Sequence, residues 1–404
     1  MISPDIKKDF PAFAHLPEGF AYCDSVASSQ TPQCVLDAMD AYYTKSRANV
    51  HRGSYNLAER ATEDFETARV DIARFIHARP DEIIFTGGAT LASNMTYLML
   101  EERLMLAPGD TAVTSILEHH SQLLPLQRLA ERNGMILTYA PLGEDSGLDI
   151  EATLTLITAR TRIVALTLAS NVTGAVVDMT RIAARAHEVG AILVVDASAY
   201  VGHAPLDVVA IDADMLFFSG HKMCGPTGVG VLYGKHRFLE TLRPAFVGGG
   251  MAEETTMKDM RCTDSPYRFE AGTPPIAEVI GLGRAAGYLS DLGLEDVRAH
   301  IRDITAYALD QFAATPHVIL HTMKDPERNI GIVSFTVEGV HAHDIAQVLG
   351  ERGVAVRAGH HCAQPLAETL GIPASVRAGF HVYNTRADVD ALLEGVSAAR
   401  KIFV

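Results

Sequence analysis

From residue 55 to about 235 the chain alternates two hydrophobic patterns. Leu57, Ala61, Phe65, Ala68, Ile72 and Phe75 recur at three- and four-residue steps, which predicts one apolar helical face, with Pro80 as a stop. A short strand over 82–85, a turn at Gly87-Gly88-Ala89-Thr90 and a helix over about 90–106 follow. Strand-like runs recur at 111–117, 135–139, 162–167, 191–195 and 214–218, most of them separated by helix-length segments. This alternation predicts βαβ units and a mostly parallel sheet covered on both faces. Residues 228–233 (GVGVLY) follow the previous strand too closely for a crossover helix and are expected as an antiparallel addition.

The segment 244–275 breaks the pattern with Gly, Pro and charge, and is expected as a long functional loop or subunit contact. A helix over 277–292 comes next. Strands at 330–337, 354–357 and 376–383 then alternate with helices at 342–352 and 386–401, which predicts a smaller α+β domain with its own core.

Composition narrows the function more than it names it. The chain has 404 residues, 48% hydrophobic and 21% charged, an ordinary globular balance with room for two or three domains. Thirty-four Lys and Arg against 49 Asp and Glu give a net charge of −15, which argues against a nucleic acid or an anionic membrane as partner. No run approaches the ~18 apolar residues of a membrane span, and the start, MISPDIKKDFPAF, lacks the apolar core of a secretory signal. Five cysteines, an odd number, make no disulfide framework, so a reducing cytoplasm is expected.

Three segments sit where strands of such a sheet end, the place where ligands collect in α/β folds. AILVVDAS (191–198) delivers Asp196 at a strand tip, either as an N-cap for a following helix or as a carboxylate for a cationic ring nitrogen. DMLFFSGHKMCGPTGVG (214–230) runs from a strand into Ser219, His221 and Lys222. Lys222 is either an exposed loop lysine or a Schiff-base lysine made nucleophilic by desolvation, with Ser219 and His221 suited to a phosphate. A carboxylate and a lysine 26 residues apart on successive strands are what a pyridoxal phosphate site requires. In RAGHHCA (357–363), Cys362 lies among basic groups that favour a thiolate nucleophile, its alternative being a small buried thiol. Adjacent histidines rarely converge on one ion, so no metal site is expected from His119, His120, His360 and His361. The Gly87–Thr90 turn offers amides and a hydroxyl to an anion, but it is neither a P-loop nor a dinucleotide fingerprint.

Taken along nearly the whole chain, these and other motifs resemble the class V aminotransferase family, and within it the group II cysteine desulfurase and selenocysteine lyase branch. The motifs are DSVASSQTP (24–32), NVHRGSYNLA (49–58), FTGGATLASN (85–94), LEHHSQLLP (117–125), ASNVTGAVVD (169–178), VVDAS (194–198), FFSGHKMCGPTGVGVLYG (217–234), RFEAGTP (268–274) and VRAGHHCAQP (356–365). The resemblance implies an α/β chain of the type I fold of pyridoxal-phosphate-dependent transferases. Its large domain (21–285) would carry a mostly parallel seven-stranded sheet, its small C-terminal α+β domain would be 286–404, and residues 1–20 would pack on that small domain.

Residue by residue, the resemblance implies that Lys222 holds pyridoxal phosphate, Asp196 pairs with the ring nitrogen and His119 stacks on the ring. Ala89, Thr90, Ser219 and His221 would hold the phosphate, with Thr273 reaching in from the neighbouring subunit of a homodimer whose sites lie at the interface. Asn171 would sit near the cofactor's ring oxygen or the substrate carboxylate, and Arg357, Arg377 and His51 would bind the substrate, Arg377 as a bidentate clamp on its carboxylate. Cys362 would take sulfur from L-cysteine as a persulfide, leaving L-alanine, for a sulfur-acceptor protein and iron–sulfur cluster biogenesis. A selenocysteine lyase, or another β-lyase, epimerase or aminotransferase of the class, is the alternative. Three positions depart from the family pattern: Ala199 stands where a glutamine is usual, Ala89 where threonine is frequent, and Pro275-Ile276 follow the GTP motif.

Overall fold

The computed structural model describes residues 2–404. Its centre is a seven-stranded sheet of β1 (Ile83–Thr86), β2 (Thr111–Ser115), β3 (Ile136–Ala140), β4 (Thr161–Thr167), β5 (Ile192–Asp196), β6 (Met215–Ser219) and β7 (Gly230–Gly234). The spatial order is β1-β7-β6-β5-β4-β2-β3. Strands β2 to β6 pair in parallel, and β7 runs antiparallel to its neighbours β1 and β6, as its short connection requires. Because β1 and β6 both oppose β7, β1 points the same way as the parallel strands. The carboxyl ends of six strands therefore share one edge.

Alternate residues of each strand enter different cores. Phe85, Val113, Val164, Leu166, Val195 and Phe218 join one cluster, and Ile84, Ala112, Ile163, Ala165, Val194 and Phe217 join the other. That period of two, with apolar side chains on both faces, explains why the strands read as unbroken hydrophobic runs. Helix α1 (Asn56–Phe75) covers one face through Ala58, Ala61, Phe65, Ala68 and Ile72; Leu57 is exposed, one position off the stripe expected of it. On the other face lies α2 (Ala89–Leu104), against α3 (His120–Asn133).

Beyond the sheet, 244–275 is not irregular throughout. It forms a bulged hairpin of Ala252–Thr255 and Met260–Cys262, exposed on both strands and so without alternation to betray it. Helix α4 (Ile276–Leu292) is followed at once by α5 (Leu294–Ala313), an element the sequence pattern left unread. A four-stranded antiparallel sheet of β8 (Val318–Leu320), β9 (Ile332–Val337), β10 (Arg357–Gly359) and β11 (Ser375–Gly379), ordered β8-β9-β11-β10, has a third core beneath α6 (Ala342–Glu351) and α7 (Arg386–Phe403). The expected strand over 354–357 is divided: Val354–Ala355 pairs with Ala21–Tyr22, and β10 begins at Arg357. Near the N-terminus, Phe10 lies edge-on to Tyr383 and Tyr288, and Lys7 pairs with Asp388 at 3.0 Å. Among the described residues no helix is long and apolar enough to cross a membrane.

Candidate active site

The shared carboxyl edge of the large sheet meets β10 and β11 of the small one across a pocket of about 720 Å³ that opens to solvent. Ala89 and Thr90 open α2 after the turn that follows β1, His119 comes from the segment after β2, and Asn171 from that after β4. Asp196 ends β5, while Ser219 ends β6 and leads through a single 3₁₀ turn to His221 and Lys222. Arg357, Cys362 and Arg377 complete the wall from the smaller sheet. Eleven expected residues thus converge from segments as far apart as 89 and 377, because parallel crossovers return each strand to one edge.

The turn after β1 depends on backbone closeness. Gly88 has φ +128°, and a Cβ on Gly230 would come within 2.6 Å of the Gly88 Cα, so β7 presses on the turn. There the Ala89 amide donates to Ser219 Oγ at 2.8 Å, tying the start of α2 to the end of β6. The lysine turn is fastened from behind: the Ser29 amide and hydroxyl donate to His221 O at 2.9 and 3.0 Å, and Ser29 Oγ accepts the Cys224 amide at 2.8 Å.

Electrostatics divide the pocket. Burial lowers the Lys222 ammonium to about 8 against the attraction of Asp196, so a neutral amine is within reach near neutral pH. Asp196 is no helix cap; its carboxylate accepts the Ser198 amide at 2.8 Å, and burial raises its pKa against Ser198 and Lys222. Beneath it, Glu118 is fully buried, accepts from Ser115 Oγ at 2.6 Å and from the Thr167 amide at 3.0 Å, and is pushed by burial to about 8. His119 caps α3, its Nδ1 accepting the Ser121 amide at 3.1 Å; burial and the nearby Lys222 lower it to about 3, a neutral ring. Arg357 and Arg377 are cross-strand partners in register. Burial lowers Arg377 to about 10 against Asp24, whose carboxylate lies 3.6 Å away, and Arg377 Nη1 donates to Asn171 O at 2.8 Å.

Cys362 follows His361, and both have left-handed backbone, φ +57° and +53°. Two non-glycine residues in that region are strained and persist only where the surroundings hold them. Here Asn171 Nδ2 donates to His361 O at 2.8 Å, the His120 amide donates to Cys362 O at 2.8 Å, and His361 Nε2 reaches Ser375 Oγ at 3.0 Å. The loop is therefore fixed to the segment after β4, to α3 and to β11 at once, with Cys362 half-buried at the pocket wall.

Two expected residues lie elsewhere. Thr273 and His51 line a second cavity with Gly249, Gly250, Tyr267 and Glu270, and Thr273 is exposed. His51 Nε2 bonds Glu66 Oε1 at 2.8 Å, and the buried Arg69 links Glu66 to Glu270. In the first pocket, Ser121, Thr167, Ser198 and His361 were missed by sequence reasoning. Thr167 ends a strand, so the rule that found Asp196 would have found it; Ser198 and His361 sit beside residues already chosen.

The donor set was tested against pyridoxal phosphate. Asn171 Oδ1, Arg377 Nε and His361 Nδ1 are buried pocket-wall atoms with no hydrogen-bond partner, polar groups that call for a polar ligand. A desolvated amine, a buried carboxylate and a cluster of hydroxyls and amides at one end match an aldehyde, a ring nitrogen and a phosphate. The residues fit the group.

Three comparisons bear on the chain. The family model described as Aminotransferase class-V matches residues 21–392. A probable cysteine desulfurase of Halalkalibacterium halodurans is 43% identical, covering 100% of this chain and 99% of its own, and one of Streptomyces coelicolor is 42% identical over 98% and 97%. Among solved structures, the apo cysteine desulfurase of Thermococcus onnurineus NA1 superposes with a TM-score of 0.93 at 38% identity over 99% of each chain. The cysteine desulfurase CsdA (S-sulfonic acid) of Escherichia coli gives 0.92 at 37% identity over 100% of each.

Proposed function

The chain belongs to the class-V aminotransferase family, and on that premise we propose that it is a pyridoxal-phosphate-dependent cysteine desulfurase. The observation that carries the reading is a single pocket in which the desolvated Lys222, the buried Asp196, the Arg357–Arg377 pair and the Cys362 thiol meet. When bound, pyridoxal phosphate supplies an electrophilic aldehyde and a ring that withdraws electron density from the substrate's Cα.

The chain's own residues supply the rest. Ala89, Thr90, Ser219 and His221 would hold the phosphate, Asp196 the protonated ring nitrogen and His119 the ring face. Lys222 would anchor the group and serve as the base at Cα; its lowered pKa gives it a free electron pair near neutrality. Arg377, kept in place by Asn171 O and Asp24, clamps the substrate carboxylate beside Arg357. Cys362, as its thiolate, would attack the substrate sulfur: a sulfur–sulfur bond forms as the carbon–sulfur bond breaks, the electron pair of the broken bond stays with the carbon, which takes up a proton, and L-cysteine leaves as L-alanine while Cys362 keeps a persulfide. The pinned loop holds this thiol ready without a further ordering step.

Thr273 and His51 would complete the pocket of a second copy of this chain, as a homodimer with its active sites at the subunit interface. A sulfur-acceptor protein would discharge the persulfide, and a reducing cytoplasm would keep Cys362 free. The division into 1–20, 21–285 and 286–404 belongs to the same reading.

Product analysis with L-cysteine tests it. The protein should release alanine, with turnover rising when a thiol reductant is added, and Cys362→Ala should make none. Full activity in that variant would overturn the persulfide route. Alanine from selenocysteine alone would move the assignment to a selenocysteine lyase.

A further inference from the structure

Three side chains at the pocket form a hydrogen-bonded chain whose middle member, Ser121, has no part in the reaction above. Thr90 Oγ1 and Ser121 Oγ lie 2.9 Å apart, and Ser121 Oγ lies 2.9 Å from His119 Nδ1. The Ser121 amide donates to that same Nδ1 at 3.1 Å. All three residues line the pocket.

Counting protons assigns the directions. An amide N–H only donates, so Nδ1 must accept, and the neutral ring carries its one proton on Nε2. The Ser121 hydroxyl has one proton and two acceptors in reach, Nδ1 and Thr90 Oγ1. If Thr90 gives its own proton to an anion, its oxygen is left as an acceptor and the Ser121 proton turns to it. Nδ1 then keeps the amide alone. If Thr90 has no anion to serve, it donates to Ser121, and Ser121 shares Nδ1 with the amide.

We propose that Ser121 is a positioning residue that couples the anion-holding end of the pocket, at Thr90, to the hydrogen bonding and placement of the His119 ring. The proposal rests on the pyridoxal phosphate reading above. It assigns a role to a side chain that does no chemistry itself, and it makes the phosphate end of the site and the ring face a single unit rather than two.

Ser121→Ala removes the hydroxyl and keeps the amide cap of α3, and alanine suits the first turn of a helix, so the fold is retained. Apoproteins of the parent, Ser121→Ala and Ser121→Thr are titrated with pyridoxal phosphate and with pyridoxal, which lacks the phosphate. Dissociation constants and the position of the visible absorption band are read. Losing one hydroxyl bond to a group that serves an anion should weaken pyridoxal phosphate binding about 5- to 20-fold in Ser121→Ala and displace the band. Pyridoxal binding should change less than about twofold, and Ser121→Thr should restore the parent values. In a Thr90→Val background the same Ser121→Ala change should cost almost nothing, because its partner is gone.

Equal loss for pyridoxal and pyridoxal phosphate, a parental constant and band in Ser121→Ala, or full additivity with Thr90→Val would each overturn the proposal. The cofactor reading fails by a different result: no visible band in the parent protein at all, with Lys222→Ala indistinguishable from it.

Discussion

The two cavities of this chain are built from similar materials and differ in how they are held. The Lys222 pocket is walled by strand ends and by a loop tied to three elements, with Asn171, Asp196, Ser219 and Arg377 buried and Thr90 and Arg357 at its exposed mouth. The Thr273 cavity also has a firm floor: Arg69, fully buried, joins Glu66 and Glu270, and Glu270 Oε1 accepts the Phe85 amide of β1 at 2.7 Å. Its roof is exposed chain, with Gly249, Gly250 and Gly272 beside Thr273, and it has neither an amine nor a thiol in its wall. The first region gathers its groups within one chain and opens to solvent at its mouth. The other is firm on one side and exposed on the other.

The largest effect expected is in the first cavity. Lys222→Ala should lose the visible cofactor band and lower alanine formation by about 10³-fold or more, since anchor and base go together. Thr273→Ala, if the cavities are halves of one site, should raise the cofactor dissociation constant by about tenfold, the value of one bond to a charged group. At a cofactor concentration that loads the parent and leaves Thr273→Ala mostly empty, mixing Lys222→Ala chains with Thr273→Ala chains should then raise activity above that of either alone, because a mixed dimer contains one site with both residues intact. Recovery after mixing sharpens the comparison; its absence, with chains shown to exchange, breaks it.

A smaller effect is the pH dependence of cofactor loading. The amine must be neutral to react, so the loading rate of apoprotein should rise about tenfold per pH unit at low pH and level off near 8. A plateau reached only near the ordinary lysine range would mean that Lys222 is not desolvated. The smallest effect concerns Glu118. Its folded pKa of about 8 exceeds its unfolded value, so the folded state holds an extra proton between the two, and the stability from this group falls as pH rises through that window. Glu118→Gln lacks the proton, so its melting temperature relative to the parent should climb from about pH 5 to pH 8 and then stay level, by a few degrees at most. A difference independent of pH would show that the carboxyl is ionised in the fold.

Much of this was legible in the residues. The central strands β5 and β6 were readable because buried strands are apolar runs, and the antiparallel turn-back of β7 followed from a connection too short for a crossover. Helix α5 carries an equally regular face in Val297, Ile301, Ile304 and Ala308, yet only Gly293 separates it from α4, so the two helices merge in the pattern. Ser29 illustrates a different limit. It fastens the lysine turn through three hydrogen bonds across 190 residues, and nothing in the residues around it announces that contact. Thr90, Ser121 and His119 each lay in a quoted motif, but only folding puts one hydroxyl between the other two.

Residue type and order by themselves determined the chemistry within reach: a lysine and an aspartate at strand tips and a thiol in a basic loop. They did so because local pattern fixes strands, and parallel strands fix which end of each carries a ligand. Only the tertiary structure decided which of those groups share a pocket, and that His51 lies in a different one. It alone decided that Lys222 is desolvated and His119 neutral, since a pKa depends on the neighbours that burial supplies.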